Sequence, residues 1–105
     1  VTATGEADEK WSYSNFGNFV DLAAPGVGIL SATVGGGYGY ASGTSQAAAF
    51  VSGVAALVKA ANGTFTNTQI EDRLQASADD LGASGRDVFF GAGRVNALRA
   101  LSSRR

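Results

Sequence analysis

Thr44-Ser45-Gln46-Ala47-Ala48-Ala49-Phe50-Val51-Ser52-Gly53-Val54-Ala55-Ala56-Leu57-Val58-Lys59-Ala60-Ala61 is the longest unbroken pattern in the 105-residue chain. Apart from Thr44, Ser45, Gln46, Ser52, Gly53 and Lys59, every residue in it is apolar. The stretch predicts one helix, Thr44 to Ala61, apolar on all sides, which is the mark of a buried helix. Ala47, Ala48, Ala49, Ser52 and Gly53 are small enough to let neighbouring elements approach closely. Asn62-Gly63 ends the pattern, with Gly63 suited to a left-handed cap.

Downstream, Thr66-Asn67-Thr68-Gln69 has the spacing of a capping box. Ile70, Leu74, Ala78 and Leu81 then recur at helical spacing, with Glu71, Asp72 and Arg73 off that face. Asp79 to Gly85 reads as loop, Val88-Phe89-Phe90 as a short strand and Gly91-Ala92-Gly93 as a tight turn. Val95, Leu98 and Leu101 share one side of a last short helix. Upstream, Val1 to Thr4 alternates as a short strand with one buried face. Gly5 to Lys10 reads as an exposed turn and Trp11 to Gly17 as a loop. Phe19 to Ala24 is apolar apart from Asp21, until Pro25-Gly26 stops it. Val27 to Val34 and Tyr38 to Ala41 pair as a hairpin through Gly35-Gly36-Gly37.

This succession is that of an α/β domain. A helix buried all round needs a sheet on one side and further helices on the other. A chain of 105 residues, with three or four short strands, hardly supplies both. The expectation is an incomplete three-layer domain, with residues 1–105 forming part of something larger.

Composition closes several routes. Charged residues are 16% of the chain, against about 25% in ordinary domains, and the net charge is −1. The only basic run is Arg104-Arg105, which argues against nucleic acid and acidic membranes as partners. No apolar run reaches the roughly 18 residues of a membrane span, and Val1 to Lys10 has no signal-peptide pattern. Cysteine and histidine are both absent, so the chain offers no thiolate site and no histidine base of its own.

The glycine clusters do not make a nucleotide site. Ser42-Gly43-Thr44 lacks the lysine of a phosphate loop, and neither Gly26-Val27-Gly28 nor Gly91-Ala92-Gly93 completes the dinucleotide fingerprint. With only carboxylates left for a metal, the adjacent pair Asp79-Asp80 reads as solvated loop carboxylates. Asn62-Gly63-Thr64 matches a glycosylation sequon but reads as the turn ending the helix. Gly43-Thr44-Ser45 differs, because it stands at the head of the buried helix. There the backbone N–H groups are unpaired and the helix dipole is positive, which suits a developing oxyanion. Ser45 is a candidate nucleophile at that place. An N-capping role for the hydroxyls is the alternative.

Asp21-Leu22-Ala23-Ala24-Pro25-Gly26, followed by Tyr40-Ala41-Ser42-Gly43-Thr44-Ser45-Gln46-Ala47 and onward to Gly53, resembles the subtilisin-like serine proteases, especially their thermitase-like branch. Ser14-Asn15-Phe16-Gly17, Thr66 to Gln69 and Gly91 to Ala97 resemble further landmarks of that family, in order and with short gaps. The resemblance implies that Ser45 is the nucleophile, that Thr44 assists the oxyanion site, and that the Ser45 N–H is an oxyanion donor. It implies a triad ordered Asp, His, Ser, with Asp and His upstream, so that this chain is the C-terminal portion of a catalytic domain and is inactive alone. It implies peptide or protein substrates, no cofactor and secretion. The upstream portion of the same domain is the expected partner, and no convincing calcium site is visible. Gln46, Ala49 and Phe50 depart from the family's usual Met, Pro and His. The rival expectation is a degenerate, non-catalytic module kept for binding or scaffolding.

Overall fold

A computed structural model describes residues 1–102; the Arg104-Arg105 run lies outside them. Seven elements follow in order: β1 (Thr2–Thr4), β2 (Ala23–Pro25), β3 (Ile29–Ala32), β4 (Tyr38–Ala41), α1 (Thr44–Ala61), α2 (Asn67–Ala76) and α3 (Ala97–Ser102). β1 and β2 run parallel, with Thr2 opposite Ala23 and Thr4 opposite Pro25. The sheet widens beyond β2 through the 93–95 segment, where Ala23 N–H donates to Gly93 O and Val95 N–H to Ala23 O, both at 2.9 Å. Arg94 in turn exchanges backbone hydrogen bonds with Asp79. β3 and β4 form a separate antiparallel hairpin, with Ile29 opposite Ala41. Its turn through Gly35, Gly36 and Gly37 has positive φ at each, a backbone only glycine adopts freely.

α1 occupies the predicted span and packs against β1, β2, α2 and α3. Leu22, Val54, Val58, Leu74, Ala78 and Ala100 form the main core, and Ala3, Ala24 and Ala47 form a second, tighter one under the start of α1. The close contact in the second core depends on alanine, as the small-residue pattern implies. On α1 only Ala47, Val54 and Val58 are buried, while Phe50 and Leu57 stand 44% and 49% exposed. The layer that an all-round apolar helix calls for is present on one side only. By length and composition α1 is also apolar enough to cross a membrane, contrary to the expectation from run length. Its packing on a sheet and two helices covers one side, and the apolar residues of the other side stay uncovered among the described residues.

α2 begins with the capping box in full: Thr66 Oγ1 accepts from Gln69 N–H, and Gln69 Oε1 accepts from Thr66 N–H. Other expectations are corrected. β1 is buried on both faces, because Thr2 Oγ1 donates to Phe89 O at 2.8 Å and Thr4 is equally enclosed. Gly63 has no positive φ; α1 ends instead with Asn62 N–H and Nδ2 on Val58 O, and Lys59 Nζ on Gly63 O and Phe65 O. Arg73 is buried rather than solvated. α2 stops at Ala76, leaving Ala78 and Leu81 beyond it. Val88 to Phe90 is a turn, held by Asp87 Oδ1, which accepts from the N–H groups of Phe89 and Phe90. On α3 the buried residue is Ala100, and Leu98 and Leu101 are exposed.

Asp79 is not a solvated loop carboxylate. It accepts from Arg94 at 2.7 Å, Arg99 at 3.1 Å and Asn96 at 3.0 Å, while Arg94 also pairs with Asp8 in the N-terminal turn. Burial pushes the Asp79 carboxyl up, but the hydrogen bonds from Arg94, Asn96 and Arg99 outweigh it and hold it below its ordinary 3.8. A carboxyl lowered by folding stabilises the fold above its unfolded value and loses that contribution as pH falls through the folded one. Asp79→Asn is therefore expected to lower Tm at pH 7 and to flatten the acid limb of the stability profile below about pH 4. An acid limb unchanged in the variant would show that Asp79 does not contribute to it.

Candidate active site

The start of α1 is fixed by backbone contacts. Gly26 N–H donates to Thr4 O at 3.0 Å, tying the residue after β2 to β1. Gly43 N–H donates to Gly26 O at 2.7 Å, tying the residue before α1 to that same point. Gly28 N–H donates to Ser42 Oγ at 2.8 Å. Gly26 sits so close to α1 that a Cβ on it would lie 2.6 Å from both Gly43 O and the Ala3 Cβ. The second alanine core thus carries the helix terminus directly on the sheet.

Gly43 is the N-cap residue and offers no side-chain hydrogen bond. Neither Thr44 nor Ser45 fills the capping role, which removes the alternative reading of their hydroxyls. Their N–H groups have no acceptor among the described residues, as the geometry of a helix start dictates. These donors lie at the positive end of an 18-residue helix dipole, beside Ser45. Thr44 is half-buried and Ser45 is exposed. The Ser45 hydroxyl makes no hydrogen bond among the described residues, whereas Ser42 is engaged with Gly28.

Ser45 opens on a groove of about 430 Å³. Ile29, Leu30 and Ser31 of β3 form one wall, and Gln46, Ala49 and Phe50 of α1 form the other. No charged side chain lines it, so within this chain the serine has donors for an oxyanion but no base. The three positions that depart from the family pattern, Gln46, Ala49 and Phe50, all lie on this wall. Sequence reasoning pointed to Ser45 and Thr44, but not to the contacts that Gly26, Ser42 and β3 make around the start of α1. The Pro25-Gly26 pair marked a stop, and only the tertiary contact shows that the glycine is there to admit the helix.

The subtilase family model matches residues 1–93. The chain is 41% identical over 100 residues to subtilisin of Bacillus pumilus, covering 95% of this chain and 35% of that protein. It is 42% identical over 100 residues to alkaline elastase YaB of Bacillus sp. (strain YaB), covering 95% of this chain and 26% of that protein. Among solved structures it superimposes with a TM-score of 0.90 and 31% identity on the serine protease MycP1, described as an essential component of the type VII (ESX-1) secretion system. That likeness covers 97% of this chain and 30% of MycP1, so the fold is an incomplete α/β subtilisin-like domain. The chain spans about a third or less of the length of these relatives. They do not place it in the thermitase-like branch. A uniform match running from β1 past the serine-headed helix to the 91–93 turn shows that the chain belongs to the subtilase family.

Proposed function

We propose that this chain is the nucleophile-bearing, C-terminal portion of a serine endopeptidase domain whose triad Asp and His lie upstream in the same polypeptide. The observation that carries the reading is Ser45 itself. It is an exposed serine with an unengaged hydroxyl, at a helix terminus that no side chain caps, facing a groove. Ser45 Oγ attacks the substrate carbonyl carbon while the upstream His takes its proton, and the carbonyl oxygen becomes an oxyanion. The Ser45 N–H, with Thr44 beside it, meets that charge without reorganising. Collapse expels the amine, which takes the proton from His and leaves an acyl-Ser45 ester. Water, deprotonated by the same His, then hydrolyses the ester and returns the proton to Ser45. The chain on its own supplies nucleophile and oxyanion donors without a base, so it is inactive alone. Peptides or proteins are the substrates. An exported location belongs to the same proposal and rests on family membership.

The test is covalent labelling of the full-length polypeptide with a fluorophosphonate, mapped by mass spectrometry. The adduct is expected on Ser45 and nowhere else. A label on a different serine ends the assignment. Absence of any label, together with a natural reading frame lacking upstream Asp and His, would establish the non-catalytic module instead.

A further inference from the structure

We propose that the cleft between α2 and α3 binds a phosphate-class oxyanion through Arg73 and Arg99. Arg73 is only 9% exposed, yet no carboxylate pairs with it among the described residues. Its guanidinium lies 5.1 Å from the centre of the Phe65 ring, and Nη1 donates to Ala100 O at 3.1 Å. The remaining N–H groups of the fork have no acceptor among the described residues. These N–H groups are not among the fully buried side-chain atoms left without a partner, so an anion in the adjoining space can reach them.

The space beside it is a cavity of about 270 Å³ lined by Arg73, Ala76, Ser77, Arg99 and Ser102. Among the described residues no carboxylate lines it. Arg99 spends Nη1 on Asp79 Oδ1 and Ala78 O, and its Nε and Nη2 have no acceptor among the described residues. Both serine hydroxyls already donate to backbone carbonyls, Ser77 to Arg73 O and Ser102 to Leu98 O, so the donors for a ligand come from the two guanidinium groups. Asp72 lines the adjoining cavity on the Phe65 side and forms no ion pair with Arg73. Two planar forks from different helices, meeting over one cavity, match the several acceptor oxygens of a phosphate group. The site is remote from the proposed nucleophile in sequence and in lining residues, so it does not depend on the endopeptidase reading.

The test is thermal denaturation of the full-length polypeptide titrated with inorganic phosphate, and separately with O-phosphoserine, at constant ionic strength held by chloride. A saturable rise in Tm is expected with one or both. Tighter binding of phosphoserine assigns the site to a phosphorylated protein, and tighter binding of inorganic phosphate assigns it to the free ion. Arg73→Met keeps the packing on Phe65, and Arg99→Gln changes a half-exposed side chain. Each is expected to weaken binding about tenfold or more, the scale of a lost hydrogen bond to a charged group. Asp79→Asn breaks the same Asp79 contact without touching the cavity and is expected to retain binding. If Arg73→Met fails to fold, Arg99→Gln decides. Equal stabilisation by chloride alone, no saturation, or undiminished binding in Arg99→Gln overturns the proposal.

Discussion

On the proposed endopeptidase reading, Ser45→Ala in the full-length polypeptide is expected to lower kcat by about 10⁴-fold or more, the scale on which triad losses act, with only a small change in KM. The serine contributes a bond that exists only after attack, so its loss falls on the transition state and not on substrate binding. The structure adds that the substitution is clean. Ser45 is exposed, its hydroxyl holds nothing in the fold, and alanine is a better helix former at the same place. Tm is therefore expected to stay within about 1 °C, since an exposed substitution away from caps and networks changes stability by no more than about 0.5 kcal/mol. Steady-state kinetics on a chromogenic peptide, run beside a thermal melt of the same sample, separates the two effects. Retention of more than a tenth of the activity would show that another group is the nucleophile. A lost activity accompanied by a large drop in Tm would mean that Ser45 acts through the fold.

The helix that carries this serine was legible because its whole signal is local. Eighteen residues without Pro or an interior charge, closed by Asn62, leave the backbone no better option. The capping box at Thr66 and Gln69 and the glycine turn of the hairpin are local in the same sense. The misreadings share the opposite property. Val88-Phe89-Phe90 has the side chains of a strand, but Asp87 offers its carboxylate to two successive N–H groups and takes them out of any ladder. Asp79 looks solvated until Arg94 and Arg99, fifteen and twenty residues later, close on it. Arg73 is drawn inward by the Phe65 ring and the Ala100 carbonyl, the second of which lies on α3. Leu98 and Leu101 share a helical face, but α3 turns Ala100 to the core, because the small side chain lets α3 seat against α1 and α2. For the site, Ser45 could be proposed as nucleophile from the motif, whereas the surface that holds it in place could not be read there. That surface is made by Gly26, Ser42 and β3, which meet only in three dimensions.

Gly26→Ala tests that positioning surface, and on the proposed endopeptidase reading it is expected to lower the activity of the full-length polypeptide strongly without touching a reacting atom. Gly26 does not need glycine for its φ, because its backbone lies outside the left-handed region. It needs the missing side chain. A Cβ there would lie 2.6 Å from Gly43 O and 2.6 Å from Ala3 Cβ, with Ala47 Cβ at 3.3 Å. None of these neighbours can rotate away: one is backbone, and the others are the only side-chain atoms of alanines in the tight core beneath α1. Relief requires the Gly26 segment and the start of α1 to part. That strains the 2.7 Å hydrogen bond from Gly43 N–H to Gly26 O and shifts Ser45 with the helix. Overpacking of this kind costs about 1–3 kcal/mol, and misplacing a reacting group by about 1 Å costs about 100-fold in rate. The expected result is a lowered Tm together with a kcat down about 100-fold and a fluorophosphonate label on Ser45 that forms slowly but at the same residue. Ala47→Gly, which removes one of the three opposing atoms, is expected to recover only part of the loss, since Gly43 O and Ala3 remain. Full activity in Gly26→Ala would show that the helix terminus has slack, and that the contact between Gly26 and Gly43 does not set the position of the serine.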